Sequence, residues 1–222
     1  MVTNVASARA WTLAGLTIAL AGTPIVAWAY RLAVGETTAA SQILVRELVI
    51  FGLLAALLWI IIRKERLPLH SIGLKTNRIG LSLLWGVIGM LACGVGVAVS
   101  LGLNQLLGLQ FGEGPRSFVT PLGATLIVIL RAGIVEESFY RGYAIERLTA
   151  LTGSRSIAVA LPLVVFALFH YRQGAGGILA AVILGAILSG LYVWKRDLIA
   201  NIVAHFLIDF IPNVLLPLMG GD

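Results

Sequence analysis

Ile43 to Ile62 reads ILVRELVIFGLLAALLWIII and stops at Arg63-Lys64-Glu65-Arg66. At 1.5 Å per residue such a run rises about 30 Å as a helix, the thickness of a bilayer's hydrocarbon core. An apolar run of that length ending in a basic cluster predicts a membrane-spanning helix with its charged end in water. The reading extends outward in both directions. Trp11 to Tyr30 predicts a span kinked at Pro24, and Leu81 to Leu103 another, with Gly86, Gly89, Gly94 and Gly96 allowing neighbouring helices to approach closely. Asn104 to Thr120, which contains Gly112-Glu113-Gly114-Pro115-Arg116, predicts a loop. A fourth helix then runs from Pro121 towards Arg147, a fifth from Ser156 to His170, a sixth from Gly177 to Trp194 and a seventh from Leu198 to Leu216.

The fold class that follows is all-α, a polytopic transmembrane bundle of about seven spans. Composition points the same way: 59% of the residues are hydrophobic and 12% charged, and the mean hydropathy is +0.98, outside the range of soluble domains. Residues 1–120 supply three helices with their loops, and residues 121–222 supply four helices that carry the chemistry, all in one bundle. A signal peptide is the rival reading of the first run, since Arg9 precedes it; the run is longer than a usual signal core and Ala27-Trp28-Ala29 is a weak cleavage site, which favours a retained helix. Cys93 is the single cysteine, so an intrachain disulfide and a cysteine zinc site are both excluded.

The net charge of +6 does not point to nucleic acid, because the basic residues lie in short loops and no basic patch is interleaved with aromatics. With the N-terminus inside, Arg9, Arg63, Lys64, Arg66, Lys75, Arg78, Arg147, Arg155, Lys195 and Arg196 fall on one side, against Arg31, Arg46, Arg116 and Arg172 on the other. Such a bias predicts an integral, multi-pass protein with a cytoplasmic N-terminus, in the cell membrane for a prokaryotic source. The lipid bilayer is then its first partner. His70, beside Pro68 in the charged loop, reads as an exposed loop histidine, and Trp28, Trp59, Trp85 and Trp194 as interface or core aromatics.

Against this apolar background, Glu136, Glu137 and Arg141 on the fourth helix, His170 at the end of the fifth, and His205 with Asp209 on the seventh stand out. Each ionisable group at membrane depth costs roughly 2.5 to 3.5 kcal/mol. Counted from the basic helix ends, these residues share one slab, about 13 to 22 Å deep. Glu137 and Arg141, four apart in acid-before-base order, are placed to pair. Glu136 points about 100° away and is left without an obvious partner. Asn201, His205, Asp209 and Asn213 form a polar stripe on the seventh helix, and Phe166 lies one turn before His170. A lone buried ion pair or histidine is as readily structural as catalytic; the convergence of an unpaired acid, two histidines and a further acid points to a site.

At these residues the chain resembles the CPBP family of intramembrane proteases, which includes the type II CAAX prenyl endopeptidases and bacterial proteins linked to bacteriocin self-immunity. Glu-Glu-x-x-x-Arg matches Glu136, Glu137 and Arg141; Phe-x-x-x-His matches Phe166 and His170; His-x-x-x-Asn or Asp matches His205 and Asp209. The resemblance implies endopeptidase action on a peptide or membrane-protein substrate by a glutamate-activated water. Glu136 would be the general base, His170 would position the water, His205 and Asp209 would face the oxyanion, and Glu137 with Arg141 would hold the acidic corner together. No cofactor is expected. Asp209 stands where the family pattern usually has Asn, and an ionised carboxylate donates no hydrogen bond. It is then protonated, or orients His205, or binds a cation.

That last option keeps a zinc-dependent alternative open, with His170, His205, Glu136 and Asp209 as ligands, although His-Glu-x-x-His is absent. A serine elbow of the form Gly-x-Ser-x-Gly is also absent. The alternatives outside proteolysis are a proton-coupled transporter, for which no inverted repeat is found, and a non-catalytic membrane scaffold or immunity protein.

Overall fold

The computed structural model describes residues 2–36, 39–112 and 121–219, with side chains from residue 9 onward. Seven helices follow one another: α1, Arg9–Val34; α2, Ala40–Lys64; α3, Ile79–Leu107; α4, assembled from Leu122–Arg131, Ala132–Ile145 and Glu146–Thr152; α5, Arg155–Leu168; α6, Tyr171–Lys195, regular from Gly174; and α7, Leu198–Met219. Among the described residues no strand occurs. The protein is an all-α membrane bundle.

Five of the seven, α1, α2, α3, α6 and α7, are long and apolar enough to cross a bilayer unaided. The expectation of about seven spans is therefore qualified at α4 and α5. With 14 residues, α5 rises about 21 Å, short of a full hydrocarbon core. Length is no obstacle for α4, but its charges keep it from reading as a lipid-facing span. It has no need to be one, since every residue of Ala132–Ile145 except Ile134 and Glu136 is buried. This segment is the pillar of the bundle. Val135, Phe139 and Tyr143 on it pack with Leu16 and Ala19 of α1, Ile50 and Leu57 of α2, Phe166 of α5 and Leu198 of α7. A smaller cluster of Cys93, Leu188, Leu191 and Ala204 joins α3, α6 and α7.

Ala132–Ile145 is wound in the wide register in which each N–H bonds five residues back. Shorter turns of the same kind occur at Ile18–Gly22 in α1 and Ile211–Leu215 in α7. The one in α1 lies against the wide stretch of α4 and immediately precedes Pro24, where the sequence predicts a kink. Gly15 permits that contact: a Cβ there would stand 2.1 Å from the Tyr143 hydroxyl oxygen. On α3, Gly86, Gly89 and Gly96 admit Val203, Leu191 and Ile187 as the spacing predicts, whereas Gly94 has no neighbour within 4 Å.

The end of α3 differs from expectation. Asn104 is not in a loop but in the last turn of α3, where its side-chain amide donates to the Gly176 carbonyl at 3.2 Å. The loop reading of 104–120 holds only from Gly108, a left-handed cap; residues 113–120, with Arg116, lie outside the described residues. At one end of the bundle Lys64 lies over the rings of Trp11 and Trp59, at 4.6 and 4.8 Å, and Lys195 over those of Trp85 and Trp194, at 3.5 and 3.4 Å. Ammonium groups carried on aromatic rings at helix ends suit a membrane–water boundary. The same end holds a buried network, in which Glu65 accepts from Thr12, Tyr143 and Arg147 at 2.8 to 2.9 Å. His70 is exposed in the nearby turn Leu69–Ile72.

Candidate active site

The wide winding of α4 decides which charges meet. In an ordinary α-helix only the third and fourth residues onward face the first; in a turn that closes at the fifth, the fifth does too. Arg131 accordingly reaches Glu136, five residues on, and its Nη1 donates to Oε1 at 2.5 Å. Glu136 therefore does not stand alone, as the sequence reading has it. Its partner was hidden by the assumption of α-helical spacing.

Arg131 is itself bridged. Its Nε donates to Oε2 of Glu47 on α2 at 2.6 Å, and Glu47, almost wholly buried, also accepts from Arg46 at 2.8 Å. Arg46, Glu47, Arg131 and Glu136 thus form an alternating chain of charges from α2 to α4, neutral in sum. Sequence reasoning missed Glu47 and Arg131, although a signal was present: Arg46 and Glu47 interrupt an otherwise apolar span, and Arg131 had no counterpart assigned within the membrane.

Glu137, with no exposed surface, accepts on both of its carboxylate oxygens. Its Oε1 accepts from Arg141 Nη1 at 2.6 Å and His205 Nδ1 at 2.7 Å, and its Oε2 from Asn201 Nδ2 at 3.1 Å. Arg141 also donates to the Gly185 carbonyl at 3.3 Å, and its guanidinium lies over the Phe166 ring at 4.7 Å. Glu137 thereby ties α4 to α7, while Arg141 ties it to α5 and α6. The pairing of Glu137 with Arg141 is as the four-residue spacing predicts; the addition of His205 and Asn201 is a tertiary fact. His205 Nε2 stands 3.5 Å from Asp209 Oδ2, so each ring nitrogen of His205 faces a carboxylate. Among the three options for Asp209, this geometry corresponds to orienting His205.

His170 lies just beyond α5 rather than within it, at the start of the short turn Tyr171–Gln173. Its Nδ1 is 2.8 Å from the Phe166 carbonyl oxygen, and its ring is tilted on the Phe166 ring with centroids 4.7 Å apart. A carbonyl only accepts, so Nδ1 carries a hydrogen, and in the neutral imidazole Nε2 is then the acceptor. Phe166 fixes the imidazole through its backbone as well as its ring.

Glu136 and His170 line one cavity of about 810 Å³, together with Arg131, Tyr140 and Phe166 below, Trp28, Arg31 and Leu32 of α1, and Tyr171 to Gln173. His205, Asp209, Glu137 and Arg141 do not line it. The six residues singled out in the sequence thus separate into a pair on the cavity and four behind it, of which Glu137, Arg141 and His205 are buried and Asp209 is partly exposed. Residues from α1 complete the wall, and apart from Arg31 their sequence reads as apolar span.

The donor set for zinc does not fit. Among the described residues no three His, Cys, Asp or Glu side chains are grouped as a metal site requires. Glu136 is already met by a guanidinium, and both nitrogens of His205 are directed at carboxylates away from His170.

Compared with known proteins, residues 118–211 match a family model described as type II CAAX prenyl endopeptidase Rce1-like. That interval contains every residue of the three motifs and Arg131, but neither α1 nor Glu47. No curated protein and no solved structure matches the chain.

Proposed function

From the match of residues 118–211 to the Rce1-like family model we propose that the chain is an intramembrane endopeptidase of that family, in which Glu136 activates a water to hydrolyse a peptide bond. The observation that carries this reading is the joint exposure of Glu136 and His170 on one cavity, with the imidazole held so that Nε2 is an acceptor. A water between them would give one proton towards His170 Nε2 as a hydrogen bond and the other to the Glu136 carboxylate, while its oxygen attacks the carbonyl carbon. Glu136 then returns that proton to the leaving amine. Arg131 holds the carboxylate in place, and Glu137 with Arg141 and Asn201 fixes the helix that carries it. The poor fit of the donors to zinc supports glutamate over metal catalysis.

The orientation proposed is N-terminus inside, on the strength of the basic bias. The cavity wall is built from the second half of α1, the early part of α4 and the end of α5, so its rim at Arg31 and Arg172 then faces away from the cytoplasm. The test of function compares new protein termini in cells carrying wild type or Glu136→Gln. Cleavages that depend on Glu136 are expected; identical termini in the two strains would refute the proposal. Orientation is tested separately, by labelling Arg31→Cys in a Cys93→Ala background with a membrane-impermeant thiol reagent. Labelling in intact cells is expected, and labelling only in inverted vesicles would reverse the topology.

A further inference from the structure

The proposed reaction asks more of Arg131 than that it neutralise Glu136. A guanidinium carries five N–H groups in a planar fork and grips a carboxylate best with two of them at once. Held in that way, Glu136 would have both oxygens bound and its charge closed off from the water it has to deprotonate. The observed grip is looser. Arg131 meets Glu136 through Nη1 alone, on Oε1, and no described residue bonds Oε2, although the Glu136 side chain is only 16% exposed.

What keeps the grip single lies on another helix. Oε2 of Glu47, on α2, accepts from Arg131 Nε at 2.6 Å and so occupies the edge by which the guanidinium would turn side-on to Glu136. Glu47 is anchored in its turn, because its other oxygen is taken by Arg46, whose Nε and Nη2 stand at 2.8 and 2.6 Å. Only 1% of its surface is exposed. An acid buried at membrane depth and engaged on both oxygens is more than a pair with its neighbour Arg46 requires. Neither Arg46 nor Glu47 lies in the interval that matches the family model, so the motifs do not account for them.

Resting on the glutamate reading above, we propose that Glu47 is a positioning residue for the general base: it pins Arg131 at Nε, so that Glu136 is oriented through Oε1 and keeps Oε2 for the proton of the water. Glu47 touches neither substrate nor water and acts through Arg131, with Arg46 as its anchor. On this assignment α2 belongs to the machinery of the reaction although it supplies no residue to the cavity wall.

The experiment compares two double variants of equal charge. Arg46→Met with Glu47→Gln removes one cation and one anion and leaves an amide oxygen that accepts from Arg131 Nε. Arg46→Met with Glu47→Leu removes the same charges and leaves no acceptor. Both keep Arg131 and Glu136 as a neutral pair, so neither strands a charge in the membrane. The probe is a quenched fluorescent peptide spanning a bond that wild type cleaves and Glu136→Gln does not, assayed in liposomes with kcat expressed per folded enzyme. The variant with glutamine should keep at least about a third of the wild-type kcat, and the one with leucine should lose about 10- to 100-fold, with KM changed less than about threefold in both. In an Arg131→Met background the two should differ by less than about threefold, since the residue through which position 47 acts is gone. Equal kcat in the two variants, a loss confined to KM, or the same difference between them without Arg131 would each overturn the assignment while leaving the role of Glu136 intact. If wild type cleaves no bond that Glu136→Gln spares, the protease reading fails and this one with it.

Discussion

Replacing Arg131 by Met removes the middle cation from the chain Arg46, Glu47, Arg131 and Glu136. The four groups sum to zero charge, and the bonds that join Arg131 to its two acids are 2.5 and 2.6 Å long. With Met at 131, Glu47 keeps Arg46 but Glu136 faces the cavity as an unpaired carboxylate. One uncompensated charge at this depth costs about 3 kcal/mol. Glu136→Gln leaves the chain with one excess positive charge instead, but Arg131 keeps its bond to Glu47 and the amide oxygen still accepts from it, so the cost falls to about 2 kcal/mol. The double variant is neutral again, with Arg46 and Glu47 still paired, and is expected to lose only about 2 kcal/mol. The coupling between the two positions is then about 3 kcal/mol, at the upper end for neighbouring residues. Reversible unfolding of the four proteins in mixed micelles, followed by tryptophan fluorescence, measures it. Single costs that simply add, to about 5 kcal/mol in the double variant, would refute the idea that Arg131 and Glu136 neutralise each other.

Three further outcomes are expected. Chelation of purified protein should leave peptide cleavage unchanged, because the donors around Glu136 do not form a zinc site; activity lost to a chelator and restored by zinc would contradict this. Gly15→Ala should destabilise the bundle by about 1 to 3 kcal/mol in the same unfolding assay, since the added methyl meets the Tyr143 hydroxyl, which is held by Glu65 at 2.8 Å; a neutral result would mean that α1 does not pack on α4 in the membrane. Arg147→Met should cost about 3 kcal/mol by stripping the buried Glu65 of its cation, whereas Arg196→Met, from a pair in which the arginine side chain is 52% exposed, should cost under about 1 kcal/mol. Equal effects of the two would show that burial does not set the difference.

The helices were legible because hydropathy and length are properties of contiguous residues, and the bilayer leaves little choice between them. Ile43 to Ile62 lies wholly within the observed α2, and Leu81 to Leu103 is exceeded by two residues at the start of α3 and by a turn at its far end, where Asn104 finds a carbonyl on α6. The polar residues of the site were legible one by one, through their cost in an apolar setting. Their partners were not. Glu137 with Arg141 could be read because the spacing of four survives in either winding, but Arg131 with Glu136 requires the wide register, and no residue type announces that register in advance. Glu47 and Asn201 come to the site across the bundle, from other helices.

Wide winding over Ala132–Ile145 makes the site sensitive to the number of residues as well as to their kind. Loss of any one residue between Arg131 and Glu136 would shorten the interval to that of an ordinary turn. The rest of α4 would then be rotated about 100° and advanced about 1.5 Å relative to α2. Either the ion pair with Arg131 or the two bonds that Glu137 accepts from α7 would have to be abandoned. A gene for this protein can exchange many side chains in its membrane spans and still encode a bundle. Within this one stretch, a single-codon deletion erases what most point mutations would only weaken.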